Sequence, residues 1–244
     1  MSNLKNKTAL VTGGTKGIGR AVCIALAKEG CRIITFGRDK NEVRTLHDEL
    51  DINYKKPDIC HQVRTLNIMY RDNRWVFRDS IEHIDILVNN VGGGGSWTNY
   101  MEVMEKNYGL SVFFTEQYLE RMCAKKWGRV IAIASIYGKE AFKNKYFTAA
   151  KSAQIAYMKS MSRKRCVSKG VTFNTILPGH ISCGYSYEKN KDTDEFKDII
   201  KNTPMGRIGK PEDVANVVRF LCSDEASYIN GANIVVDGGE SVSI

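Results

Sequence analysis

The run Thr8-Ala9-Leu10-Val11-Thr12 is mostly apolar and stops at Gly13-Gly14-Thr15-Lys16-Gly17-Ile18-Gly19. Helical spacing of apolar residues (Ile18, Val22, Ala25, Leu26) begins at once and ends at Gly30. An uninterrupted apolar run of this length reads as a parallel strand covered on both faces. Parallel strands need a crossover, and a helix is the usual one. Glycines at the junction reach dihedrals closed to other residues and let an anion approach the helix N-terminus. A tight turn without a ligand would use the same glycines. The strand before and the helix after favour a phosphate cradle.

The alternation continues along the chain. Strands are expected at 32–36, near 63–66, and at 85–89, 128–134, 171–176 and 234–236. Helices are expected at 41–50, about 100–124, 147–168 and after Pro211-Glu212-Asp213, where Val214, Val217, Val218 and Leu221 repeat at helical spacing. Residues 51–64 are polar and stay undecided. The pattern predicts an α/β fold, Rossmann-like and doubly wound, with a seven-stranded, mainly parallel sheet and helices on both faces. No linker or internal repeat interrupts it, so a single domain over residues 1–244 is the economical reading.

Composition removes several other classes. A chain of 244 residues buries about three-quarters of its unfolded surface and needs no disulfide staples. Its seven cysteines (23, 31, 60, 123, 166, 183, 222) are odd in number, scattered and without a CxxC pair. That pattern suits reduced thiols and a cytoplasmic location. The histidines at 47, 61, 83 and 180 lie far apart, so no metal site is expected. No apolar run approaches the ~18–20 residues of a membrane span, and no signal peptide is apparent. The net charge of +9 is spread along the chain without a basic block, so nucleic acid is not an expected partner.

The TGxxxGxG spacing of residues 12–19 resembles that of the short-chain dehydrogenase/reductase family. Asn89-Asn90-Val91-Gly92 is similar to the family's NNAG, and Asn107 stands where the family has a helix asparagine. Ser135 ends the fifth strand at the family's serine position, and Pro178-Gly179-His180-Ile181 resembles its PG motif. The segment from Pro204 through Pro211-Glu212-Asp213 to Asp237-Gly238-Gly239 resembles the 3-oxoacyl-acyl-carrier-protein-reductase-like branch. The resemblance covers essentially the whole chain.

It implies a nicotinamide cofactor held by Gly13, Thr15, Lys16, Gly17, Ile18, Gly19, Arg38, Asn67, Ile68, Asn89, Val91, Gly92, Lys151, Pro178, Gly179 and Ile181. An acid at the end of the second strand would bind the ribose hydroxyls of NAD, and a cation would accept the 2′-phosphate of NADP. Gly37 occupies the acid's place, and Arg38 follows it. With Lys16 as a second cation, NADP(H) is expected, although Asp39 lies close enough to matter if the strand end is shifted. The substrate side is expected to include Ser135, Tyr137, Gly93 and His180, the four-glycine run at 92–95, and a lid over residues 183–203. The lid's charged, lysine-bearing sequence suits a small polar or anionic carbonyl compound. The family's usual assembly implies a homotetramer or homodimer paired through the long helices and the last strand.

The family's catalysts are an asparagine, a serine, a tyrosine and a lysine four residues after the tyrosine. Asn107, Ser135 and Lys151 match, but Phe147 stands in the tyrosine's place. Phenylalanine keeps the ring and has no proton to give. Tyr146 is adjacent, but residues five apart on a helix differ by about 140° and residues four apart by about 40°. Tyr146 is therefore expected to face away from Lys151. Two explanations stay open: a Tyr→Phe replacement made to stop turnover, favoured by the otherwise intact motif set, and a natural member that has lost or relocated its acid. The expected activity is NADP(H)-dependent interconversion of a carbonyl and a secondary alcohol, impaired in this form. The alternative is a catalytically silent NADP(H)-binding sensor or assembly protein.

Overall fold

A computed structural model describes residues 4–93 and 98–242. Seven strands form one sheet: β1 (Thr8–Val11), β2 (Arg32–Gly37), β3 (Gln62–Thr65), β4 (Ile86–Asn89), β5 (Gly128–Ile133), β6 (Val171–Pro178) and β7 (Asn233–Val236). Their spatial order is β3-β2-β1-β4-β5-β6-β7. Every pairing is parallel, so the sheet is parallel throughout rather than mainly so. Chain direction across the sheet reverses between β1 and β4. Ligands of open parallel sheets bind beyond the carboxyl ends of the strands at such a point.

The helices are α1 (Gly17–Lys28), α2 (Lys40–Tyr54), α3 (Arg71–Asp79), α4 (Tyr100–Met104), α5 (Leu110–Ala124), α6 (Lys145–Met161), α7 (Gly184–Asn190), α8 (Asp194–Asn202) and α9 (Pro211–Cys222). Helices α1, α2 and α9 cover one face through Val22, Leu26, Leu46, Leu50, Val214, Val218 and Leu221. Helices α3, α5 and α6 cover the other through Phe77, Phe114, Tyr118, Met122, Met158 and Met161. The central strands β1, β4 and β5 are buried on both faces, which is why they read as largely apolar runs.

Local chemistry sets the element boundaries. Gly30 stops α1 at φ +89°, a backbone conformation that favours glycine. Asp39 begins α2 by accepting from the amides of Asn41 and Glu42. Pro211 occupies the first turn of α9, and the Asp213 carboxylate reaches back to the Lys210 amide.

Several elements differ from the sequence expectation, among them the helix expected over 100–124, which is interrupted after Met104. Helix α2 continues to Tyr54, through part of the undecided stretch. Helix α3 was not anticipated: its sequence is largely charged and Phe77 is its buried anchor, so little periodicity announces it. Helix α6 ends at Met161, and a short 3-10 turn at Arg165–Lys169 takes the place of its expected last turns. The lid over 183–203 folds as α7 and α8.

Candidate active site

The junction of β1 and α1 is shaped by contacts that exclude side chains. A Cβ on Gly19 would lie 2.5 Å from the Gly13 carbonyl oxygen, and one on Gly14 would lie 2.3 Å from Thr35 Oγ1. Gly13 and Gly17 have φ of +64° and +51°. Helix α1 starts without a side-chain cap and without an acid in its first turn. Its orphan amides and its dipole therefore present a positive end to an anion. The chain leaving β4 secures the loop through Asn90. Asn90 donates its amide group to the carbonyls of Thr12 and Gly13, and Asn89 turns inward to donate to Thr115 Oγ1. Thr12 Oγ1 accepts from the amides of Asn90 and Val91. Cys183, at the start of the lid, covers the loop: a Cβ on Gly17 would meet its Sγ at 3.0 Å.

The end of β2 carries the cofactor-selective positions. Gly37 is closed to any side chain, because its Cβ would lie 2.1 Å from Thr15 Oγ1. No acid fits there. Asp39 is committed to capping α2, and its backbone hydrogen bonds hold its carboxyl below the usual carboxylate range. Lys16 pairs with Asp39 at 3.6 Å and Glu42 at 3.4 Å, both exposed contacts. Arg38 is exposed and has no carboxylate partner among the described residues. Beyond β3, Asn67 closes a turn by accepting from the Met69 amide, and the Ile68 side chain is buried in the core.

Three sequence-predicted residues converge at the carboxyl edge. A Cβ on Gly92 would sit 2.9 Å from Asn107 Oδ1 and 3.1 Å from Lys151 Nζ. Asn107 lies within a π-helical turn, Glu105–Gly109, between α4 and α5. Its Oδ1 accepts from the Gly93 amide, and its Nδ2 donates to the carbonyls of Gly93 and Val103. Lys151, on α6, is 3% exposed and donates to the Ile133 carbonyl at 2.8 Å and to Gln154 Oε1 at 3.1 Å. Burial, reinforced by the charge of Lys106, lowers its pKa to about 7. Lys106 was not predicted from the sequence. Burial and the charge of Arg38 lower its own pKa, and it lies near Gly93. Arg38 and Lys106 thus place positive charge close to the buried Lys151. The expected four-glycine run continues into residues 94–97, which lie outside the described residues.

Ser135 follows β5 and is buried. Its Oγ accepts from the Tyr137 amide at 3.2 Å, which leaves its O–H proton available for a carbonyl oxygen. Asn144 caps α6 by accepting from the amides of Tyr146 and Phe147. In that register the Lys151 ammonium lies 5.8 Å from the centre of the Phe147 ring. Tyr146 packs instead against Tyr100 of α4, with ring centres 6.0 Å apart. Phe147, and not Tyr146, shares a face with Lys151.

Pro178 ends β6, and the backbone turns there because Gly179 has no side chain: a Cβ would lie 2.5 Å from Glu240 Oε2. Ile181 bridges to Gly209 and packs on the core. His180 pairs with Glu240, Nδ1 to Oε1 at 2.6 Å. A cavity of about 540 Å³ opens beside this pair, lined by Tyr137, His180, Glu240 and the α8 residues Glu195, Asp198, Ile199 and Asn202. Its described wall is acidic and aromatic, unlike the cationic lining expected from the lid sequence. Glu240 had no local sequence signal, because its partner is sixty residues away. Among the described residues there is no metal-ligating cluster, and no helix is long and apolar enough to cross a membrane.

Comparison with known proteins places the chain among oxidoreductase relatives. A family model described as enoyl-(acyl carrier protein) reductase matches residues 13–241. The chain is 32% identical to 3-oxoacyl-[acyl-carrier-protein] reductase FabG of Aquifex aeolicus over 97% of this chain and 98% of the relative. It is 30% identical to the protein of the same name from Escherichia coli, with the same coverage of each chain. Among solved structures, an oxidoreductase of the short chain dehydrogenase/reductase family from Burkholderia thailandensis superposes with a TM-score of 0.83 at 27% identity, over 97% of this chain and 93% of the other. A Beutenbergia cavernae protein, provisionally named an NAD(P) dependent gluconate 5-dehydrogenase and holding NADP at low occupancy, superposes with a TM-score of 0.87 at 26% identity, over 97% of each chain.

Proposed function

Because the chain belongs to the short-chain dehydrogenase/reductase family, we propose that it is an NADP(H)-dependent oxidoreductase that interconverts a carbonyl and a secondary alcohol on a small polar substrate. The observation that carries this reading is the meeting of Gly92, Asn107 and Lys151 beside a glycine cradle, at the carboxyl edge of the sheet. The residues present fit the cofactor. The uncapped start of α1 and the side-chain-free loop suit its pyrophosphate. Arg38 suits the 2′-phosphate, and the filled space at Gly37 leaves no place for the acid that NAD would use. Lys151 would hold the nicotinamide ribose, and the loops of Val91 to Gly93 and Pro178 to Ile181 would border the nicotinamide.

When bound, the cofactor supplies or accepts a hydride. Ser135 orients the substrate carbonyl with its free O–H. Asn107, held by Gly93 and Val103, keeps the π-turn in place for a water in the proton route. Phe147 withholds the family's proton, and turnover by that route is impaired in this form. The expected signature is preferential binding of NADPH over NADH, followed by fluorescence, and a rate of carbonyl reduction that rises at least tenfold in F147Y. A Tyr→Phe replacement in an otherwise intact enzyme predicts this rise most directly.

A second reading is supported by Lys151, which points its ammonium inward to Ile133 and Gln154. A silent NADP(H)-binding sensor or assembly protein would bind NADPH and show no pH-dependent rate in F147Y. Failure to bind either nucleotide would overturn both readings. The family assembly, a homotetramer or homodimer formed through α5, α6 and β7, and the single-domain organisation over residues 1–244 belong to the same proposal.

A further inference from the structure

The geometry points to the His180–Glu240 pair as the proton donor and acceptor of this active site, in place of the phenol absent at position 147; this rests on the oxidoreductase reading above. Three observations lead there. The first is position. In the β5–β6 register Ile133 lies opposite Ile176, and the Ala134 amide donates to the Ile176 carbonyl. Ser135, just past the end of β5, and Pro178, the last residue of β6, therefore lie at neighbouring strand ends. Tyr137 and His180 each follow two residues later, and their rings meet edge to face with centres 5.9 Å apart. An aromatic path runs back to the tyrosine slot: Tyr137 stacks on Phe142 at 4.2 Å, and Phe142 meets Phe147 at 6.0 Å.

The second observation is that the pair is built. Glu240 takes the His180 backbone amide on Oε2 at 2.9 Å and the imidazole Nδ1 on Oε1 at 2.6 Å. The Tyr137 hydroxyl reaches the same Oε1 at 3.5 Å. The imidazole and carboxylate side chains are 24% and 15% exposed. Gly179 leaves the space that the carboxylate occupies. The third observation is the cavity, which both residues line with Tyr137.

A carboxylate bonded to Nδ1 fixes the ring's tautomer and orientation, while the other nitrogen does acid–base work. The charged and titratable groups facing His180 are Glu240, Tyr137 and, from α8, Glu195 and Asp198; Glu195 is itself paired with Lys143. Burial and then Glu240, Glu140 and Glu195 push the Tyr137 phenol up, so it stays protonated and serves as a positioning residue on Glu240. In reduction, the carbonyl carbon receives the hydride and the carbonyl π pair moves to oxygen. That oxygen takes the proton from His180 Nε2, so an N–H bond breaks as an O–H bond forms. Water in the open cavity returns the proton. Alcohol oxidation runs in reverse.

The test uses ethyl acetoacetate with NADPH as the reduction probe, on the full chain. H180Q and E240Q should each lower kcat, measured at saturating NADPH, by about 10²-fold. In an F147Y background, where a phenol supplies the proton, the same substitutions should cost less than about tenfold. Nitrogen-15 NMR of the cofactor-free protein should show an imidazole Nδ1–H proton for His180 that E240Q removes. Equal losses in both backgrounds would overturn the proposal, as would a His180 tautomer with Nδ1 unprotonated. NADPH binding without turnover of the keto ester at any pH would also overturn it while sparing the cofactor reading. Absence of NADPH binding would remove both.

Discussion

At the scale of single residues, the site depends on groups that sequence position alone ranks poorly. Gly37 is the clearest case. Its neighbour Thr15 fills the space where an acid would stand, with a separation of 2.1 Å from an added Cβ to Thr15 Oγ1. G37D is thus expected to destabilise the fold by about 1–3 kcal/mol through overpacking, and not to convert the protein to NADH use. Thermal melts and parallel NADH and NADPH titrations check this; a stable variant that gains NADH affinity would contradict it. Lys151 is the second case. Its folded pKa of about 7 lies below the usual 10.5. Between these values the unfolded chain binds the proton that the folded chain has released, so stability should rise with pH from about 7 to 10. The gain is on the order of a few kcal/mol at most. Urea midpoints across that range should climb in the parent protein and stay flat for this group in K151M. Phe147 was legible in the sequence because helix geometry separates positions four and five apart, and the packing of Tyr146 on Tyr100 is the physical counterpart of that separation.

At the scale of elements, strands and strongly periodic helices were legible, because burial on both faces of the sheet demands unbroken apolar runs. Helix α3 was not, since Phe77 is its one fully buried anchor and most of its surface faces water. The joining of β3 to β2 also rests on a contact that the sequence does not announce. His61 is 2% exposed, and its Nδ1 accepts from the Ile33 amide at 3.1 Å. That bond requires the neutral ring, and burial lowers its pKa. The unfolded histidine takes up a proton as pH falls through about 6.5, while the folded one resists. Stability is therefore full above that value and is lost below it. Urea midpoints should fall from pH 7 to pH 5, and H61Q, which retains an acceptor but no titration, should flatten the dependence. An identical acid profile in both proteins would remove His61 as its source.

At the scale of the whole molecule, the all-parallel sheet brings its candidate functional residues to one edge, at the carboxyl ends of strands whose order reverses between β1 and β4. The expected assembly belongs here. Native mass spectrometry and light scattering should give a mass two or four times the 27.4 kDa of the chain, and a stable monomer at micromolar concentration would refute it. Alternation of apolar runs with helical periodicity, read from the sequence by itself, determined the sheet and its helical layers, because each element's solvent exposure is written in its own residues. The glycine junction and the order of motifs likewise specified which edge carries the site. Only the tertiary structure decided which charges are free. Lys16 is engaged by Asp39 and Glu42, Arg38 has no carboxylate partner among the described residues, and Lys106 joins the cleft. It alone also brought Glu240 to His180 across sixty residues and set both against Tyr137. Electrostatic partners and a proton route depend on distances of a few ångströms between strand ends, and those distances exist only once the sheet has been assembled.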